Sequence, residues 1–376
     1  MKEGETTVLS TDELISPNSV MENNNAEKKK KQFITAIQKS TPNRINVGIP
    51  RALLFYKFHQ LWTTFFEELG ANVIVSPKTN KEIKTKAISC APDEDCYSTK
   101  LYYGHVMALK DKVDYLFIPR FQSEHKTNVS CPKFLGLAES LRSAYADLPP
   151  IIMPAYSQAK LKHGKWRLIQ IAFSIGKIFT KNPFKILRAT RQAFNNHRSW
   201  IQDKILTHME LSDWEQNKLF VNDPPVIHDS TEPLKIALIA HTYMLNDPYA
   251  SLNIKQLLIN AGVNLITSEQ MPKDLIEKQM EKLDFNMYFD YERELLGTAM
   301  HFLEKKTIDG IIHIIIFCCG PDSIVGEMVS RFSKRDPVIP VLQLTFDELT
   351  GETGLKTRLE AFLDMVHRKK KMEGRN

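Results

Sequence analysis

Five cysteines in 376 residues are few, and no two of them are spaced C-x-x-C, which excludes the common zinc-ribbon framework. There is no G-x-x-x-x-G-K-[S/T] stretch and no other visible nucleotide-phosphate glycine motif. No apolar run is long enough to span a bilayer. The opening MKEGETTVLSTDELISPNS carries acidic residues and lacks an apolar centre, so it does not read as a secretory leader, and a cytoplasmic location is expected. In a reducing compartment so few thiols do not make a disulfide framework.

Charge of one sign is also scarce. Lys plus Arg number 50 against 44 Asp plus Glu, a net of +6. A nucleic-acid binder would show one basic face with interleaved aromatics, and no nucleic-acid partner is expected. The excess gathers at Lys28 to Lys31, between Lys160 and Arg198, and at His367 to Lys371. Within the middle segment Trp166, Phe173, Phe179, Phe184 and Phe194 lie among lysines and arginines. Such a pattern reads as an amphipathic helical insertion with a solvated face.

What is present is ordinary for a globular protein, 43% hydrophobic and 25% charged, with length enough for two domains. Residues 1–44 are polar and read as disordered. From Ile45 apolar runs alternate with helical periodicity. INVGIP, ANVIVSP, VDYLFIPR and PPIIMP read as strands, with helices at RALLFYKFHQLWTTFFEEL, at about Tyr97 to Leu109 and at about Leu135 to Tyr145. The stretch between Pro77 and Cys90 reads as a polar loop.

The second half repeats the scheme. LKIALIAH, VNLITSE, IDGIIHIIIF and VIPVLQLT read as strands, with helices at about Tyr291 to Lys306 and Ser323 to Ser333. LGANVIVSP answers AGVNLITSE, KVDYLFIP answers TIDGIIHI, and PPIIMP answers VIPVLQL. Strands apolar along their whole length imply parallel sheets covered on both faces. The expected fold is α/β: two Rossmann-like parallel-sheet domains facing across a cleft, at 45–157 and 231–376, with a helical segment at 158–230 between them.

Ligands of open α/β sheets bind beyond the carboxyl ends of the strands. Cys131 follows one strand, Cys319 follows its counterpart in the other half, and Cys96 precedes the helix leading to the Cys131 strand. These three cysteines are therefore candidates for one site. Against this stands the ordinary use of cysteine as a small buried hydrophobe. Cys318 and Cys90 are reserve candidates. Thiolates here could hold zinc, with His105, His125 or His313 as a fourth ligand, or an iron–sulfur cubane.

The segments IPRALLFYKFHQLWTTFFEELGANVIVSP, CPKFLGL, DGIIHIIIFCCGPDS and LTFDELTGETGLKTRLEAFLD resemble the activase-related members of the 2-hydroxyacyl-CoA dehydratase family. The likeness runs from about Ile45 to Met365, apart from the middle helices. It implies a [4Fe–4S] cluster held by Cys96, Cys131 and Cys319, or alternatively a bridged double cubane. It also implies low-potential electron transfer, or radical dehydration or reduction of an acyl-CoA-type substrate through a ketyl. Without a phosphate loop here, ATP hydrolysis would belong to a separate activator protein. A non-catalytic electron-transfer or regulatory subunit, homo- or hetero-oligomeric, and a zinc-stabilised binding protein are the alternatives. Two departures stand out: the second cysteine, Cys318, before Cys319, and Leu349 where a histidine is expected after Asp347 and Glu348.

Other polar residues fall on the loop side of the strands. Arg51, Lys126 and Lys133 could meet CoA phosphates or a substrate carboxylate. Asp347, Glu348 and Glu352 could serve as acid/base groups, although Glu352 could equally favour the start of the last helix. Glu348, Glu352 and Arg51 are the catalytic candidates. Arg358 and Glu360 read as helix-surface residues, and His241 as structural.

Overall fold

A computed structural model describes residues 44–123, 128–157, 164–206 and 233–373. The expected disordered segment 1–44 lies outside them except for Arg44, as do His125, Lys126 and the end of the middle segment.

The first half begins with β1 (Asn46–Ile49) and α1 (Phe55–Leu69). The helix starts four residues later than its periodicity predicts, because Leu53 sits in a left-handed turn at φ 50°. Gly70 ends it at φ 91°, donating to the carbonyls of Glu67 and Phe66, a conformation glycine adopts without a Cβ penalty. β2 (Asn72–Val75) follows, then α2 (Lys81–Cys90) and α3 (Tyr97–Leu109). The expected polar loop is thus largely helix α2. Its Asn80 side chain caps it by accepting from the Ile83 N–H at 3.0 Å, and only Ile83 and Ala87 are buried, too sparse an apolar stripe to read from periodicity. The half closes with β3 (Tyr115–Phe117), β4 (Arg120–Ser123), α4 (Pro132–Ala144), β5 (Ile151–Ile152) and β6 (Ala155–Ser157).

Two helices, α5 (Gly164–Gly176) and α6 (Pro183–Leu206), come next. They pack on the first sheet: Ala172, Ile175, Ile186, Ala189 and Ala193 share one core with Val47, Ile49, Phe66 and Phe117. The second half runs β7 (Lys235–Ile239), α7 (Thr242–Leu245), α8 (Ile254–Asn260), β8 (Asn264–Thr267), α9 (Lys273–Met280), α10 (Asp290–Lys305), β9 (Gly310–Ile316), α11 (Gly320–Arg335), β10 (Val341–Phe346) and α12 (Glu352–Glu373).

The repeat read from the sequence is a repeat of topology. The first sheet has the order β2-β1-β3-β5 and the second β8-β7-β9-β10, every neighbouring pair parallel. Each order reverses between the first and third strands of its half. The loops leaving β1 and β3, and those leaving β7 and β9, therefore flank the two switch points, where such sheets bind ligands. β4 and β6 form a separate parallel pair.

One continuous core joins the halves. Leu116 of the first sheet and Ile118 just beyond β3 lie in the same apolar cluster as Ile236, Leu238, Ile312, Ile314, Ile316 and Phe346 of the second. Alternate residues of β7 and β9 turn outward: Ala237, Ile239 and Ile311 join a separate core with Leu295, Leu296 and Val325 from α10 and α11. The chain from Ile45 onward forms one compact unit.

Candidate metal centre

Three cysteines stand immediately before three helices. Cys96 is the residue ahead of α3, Cys131 ahead of α4 and Cys319 ahead of α11. The spacing arises because α4 and α11 begin about three residues earlier than periodicity predicts. Pro132 and Pro321 occupy the first turns of these helices, where a missing N–H costs nothing. Each thiol therefore sits at the positive end of a helix, beside backbone N–H groups that lack intrahelical acceptors.

The three belong to one apolar neighbourhood. Cys319 is buried within the shared core, and Cys96 and Cys131 pack against it. Burial above all, with a smaller contribution from Cys96 and against the Lys133 N–H, pushes the Cys131 thiol up to about 11. Burial likewise raises Cys319 well above the thiol range, with smaller contributions from Asp322, Cys96 and Glu292. Burial raises Cys96 too, against the Thr99 hydroxyl 3.1 Å from its sulfur. Lys133 also adjoins the site. It pairs with Asp95, and the charges of Cys96 and Cys131 add to the upward shift of its ammonium.

The reserve cysteines separate from this group. Cys318 is exposed, at φ 62°, so the turn after β9 turns one sulfur outward and the next inward. Cys90 ends α2, where its carbonyl accepts from the Tyr145 hydroxyl, and its sulfur lies 3.6 Å from Ser89 Oγ.

Around Cys319 the fold gathers groups with no obvious sequence signature. An imidazole nitrogen of His241, a carboxylate oxygen of Glu292 and the Cys319 sulfur all lie within 4.8 Å of one another, and all three residues are buried. His241 leaves the end of β7, while Glu292 sits in the first turn of α10. The Cys131 loop is stitched to that turn: Val129 N–H donates to the Tyr288 carbonyl at 2.7 Å and Asp290 N–H to the Val129 carbonyl at 3.1 Å. Burial pushes the Glu292 carboxyl up to about 8, and Asp322 and Asp290 reinforce the shift.

The His241 ring stacks on Tyr243, centroids 4.9 Å apart, with Tyr291 edge-on at 5.6 Å. Neither ring nitrogen has a hydrogen-bond partner. Its Nε2 lies 3.7 Å from Asp322 Oδ2, and His313 Nε2 lies 3.7 Å from Asp322 Oδ1. Asp322 accepts from the Ile316 N–H at 2.8 Å; burial raises its carboxyl, but the neighbouring imidazoles and this bond more than offset that and hold it below the usual carboxylate range. Burial holds His241 below the usual imidazole range and toward its neutral form.

The remaining candidates are engaged elsewhere. Arg51 donates through its backbone N–H to Ser76 Oγ and through Nε to the Ser76 carbonyl, and lies over the Phe55 ring. His105 is fully buried between Ser76 Oγ at 2.9 Å and Thr79 Oγ1 at 3.0 Å. Burial lowers its imidazole to about 3, and both nitrogens are occupied. Glu348 pairs with Lys100 at 2.7 Å, one turn into the helix that Cys96 opens. Glu352 pairs along its own helix with Lys356 at 2.7 Å. Asp347 closes the turn after β10, accepting from the Leu349 N–H and the Thr350 hydroxyl. Leu349, in place of the expected histidine, is exposed. Arg358 donates to the Gly354 carbonyl one turn back, and Glu360 is exposed, both on the outside of α12.

Glu292 was invisible in the sequence because DYERELLG reads as an ordinary acidic helix start. Its proximity to Cys319 depends on the pairing of α10 with the Cys131 loop, a contact between distant segments.

A family model described as the CoA enzyme activase uncharacterised domain matches residues 46–271. The comparison with curated proteins found no match.

Proposed function

The chain belongs to the CoA enzyme activase uncharacterised-domain family, which relates it to acyl-CoA dehydratase systems, and on that premise we propose that it is an iron–sulfur protein. Cys96, Cys131 and Cys319 would hold a [4Fe–4S] cluster serving electron transfer or reduction in acyl-CoA-type chemistry, reduced by a separate ATP-dependent activator. The carrying observation is the placement of three cysteines, one buried and two half-buried, at three helix starts along one shared apolar core.

The donor set fits the group. Soft thiolate ligands select iron–sulfur clusters and zinc, and the unpartnered ring nitrogens of His241 leave polar capacity beside Cys319. Bound, the cluster would supply one-electron chemistry at a potential set by its charge and surroundings. The protein's own contributions are electrostatic and steric. Helix-start N–H groups favour the anionic assembly. The core residues around Cys319 keep water out. The Lys133–Asp95 and Lys100–Glu348 pairs hold the starts of α3 and α4 against neighbouring loops. Among the described residues no helix is long and apolar enough to cross a membrane.

A second reading rests on the His241, Glu292 and Cys319 donors alone, whose nitrogen, oxygen and sulfur would suit a single zinc ion. Anaerobic purification with iron, zinc and acid-labile sulfide analysis separates the two. The cluster reading expects about four irons and four sulfides per chain, lost in Cys319→Ala and kept in Cys318→Ser. About one zinc without sulfide would replace it with the second reading.

A further inference from the structure

The helices between the two halves carry a charge pattern that the thiols do not use. Residues 164–202 hold eight Lys and Arg and no Asp or Glu, against a net of +6 for the whole chain. Of the aromatic residues in this stretch, Phe173 and Phe179 pack against the core of the first sheet. Trp166 is instead 70% exposed and Phe184 80%. Single apolar residues are normal on a surface, but here they follow a pattern.

On α6, Leu187, Phe194 and Ile201 recur at every seventh residue and are all exposed. Seven residues make nearly two turns, so the three line one stripe. Ile186, Ala189 and Ala193 point the other way, into the core of the first sheet. Arg191 and Arg198 follow Leu187 and Phe194 by four positions, which sets an exposed guanidinium one turn beyond each apolar side chain. Lys185 and Arg188 lie further round the same outer face. Among the described residues, Arg188 alone of these four cations meets a carboxylate, Glu68 at 3.9 Å. α5 is held closely to α6 at Gly176, where a Cβ would lie 2.7 Å from the Ile186 side chain. The turn between the helices exposes Lys177, Ile178 and Lys181. With 24 residues, α6 is a rod about 36 Å long.

We propose that the outer face of α5 and α6 docks on an anionic lipid bilayer. α6 would lie in the plane of the interface, its apolar stripe at the acyl boundary and its arginines and lysines on the lipid phosphates. Helices that lie on membranes combine Trp, Phe and Leu with Lys and Arg in this way, and clustered cations on such a helix favour anionic headgroups. An acidic protein would be the other anionic partner, and two features favour lipid over it. The stretch has no acid with which a folded partner's register could be fixed by opposed charges. Its exposed aromatics are also spread along both helices, an arrangement that fluid lipid fits and that the close packing of a rigid protein interface does not require. This face is separate from the thiols, and its role does not depend on the metal they hold.

The test is sedimentation of the full chain with vesicles, one set of phosphatidylcholine and one of phosphatidylcholine with an equal share of phosphatidylglycerol. Binding is expected only to the second set. It should weaken as salt is raised, since the screening length falls from about 10 Å at 0.1 M to about 3 Å at 1 M. Arg191→Glu with Arg198→Glu, and separately Phe184→Ser with Phe194→Ser, should each raise the lipid concentration for half-binding at least about tenfold. All four side chains are exposed, so an unchanged circular dichroism melt is expected; if one pair of substitutions disrupts folding, the other pair decides. Wild-type binding that neither pair weakens would place the attachment elsewhere, such as at Lys28 to Lys31, and overturn the assignment. Equal binding to both vesicle sets, or binding to neither, would overturn it as well. Retention of the chain by poly(U) RNA without binding to either vesicle set would give the face to nucleic acid instead.

Discussion

At the scale of single residues, adjacent positions have opposite fates. Cys318 and Cys319 are indistinguishable in the string FCCGPDS, yet the left-handed φ of Cys318 exposes one sulfur and buries the next. No rule of composition distinguishes them, because the difference is one backbone dihedral. Glu348 was legible as a loop-side acid but not as half of an ion pair. Burial raises its carboxyl and the Lys100 ammonium more than offsets this, so it ionises below the ordinary glutamate value of 4.5. A carboxyl depressed on folding contributes stability that is full above its unfolded value and fades as pH falls through its folded one. Urea midpoints of wild type should therefore decline below about pH 4.5, and Lys100→Met should flatten that decline. An unchanged pH dependence in Lys100→Met would show that the pair contributes nothing.

At the scale of elements, strands were easier to read than helix starts. The runs of Ile and Val in β9 and β7 announce strands covered on both faces, and the parallel register confirms them. The starts of α4 and α11 were placed about three residues late because Pro132 and Pro321 read as loop residues, although proline suits a first helical turn. That error hid the fact that the cysteines are cap residues. Helix α2 was missed outright, and its packing explains a glycine in the middle of α3. A Cβ on Gly104 would overlap the Ile83 carbonyl oxygen and lie 3.0 Å from Ala87 Cβ. Gly104→Ala would ordinarily favour a helix. Here it should destabilise by about 1–3 kcal/mol, as overpacking does, and denaturant unfolding would measure it. A stabilising Gly104→Ala would mean that α2 does not press on α3.

At the scale of the whole molecule, the repeated strand order was legible as matched segments, but the shared core was not, since hydrophobic periodicity says which face is buried and not against what. Leu116 and Ile314 come from different sheets and are fully buried in one cluster. Leu116→Ala and Ile314→Ala should each cost about 2–5 kcal/mol and lower the same unfolding transition, followed together by far-ultraviolet circular dichroism and tryptophan fluorescence. Two separated transitions, each moved by only one variant, would show halves that fold independently. The hydrogen bonds between the Cys131 loop and the start of α10 also set a chronology. Ser130 and Asp290 are 160 residues apart in the chain, and Cys319 is synthesised later still. A ribosome that has released only the first half has made two of the three thiols, joined by the Lys133–Asp95 pair, but neither Cys319 nor the start of α10, so assembly of the proposed centre would wait until synthesis has passed Cys319.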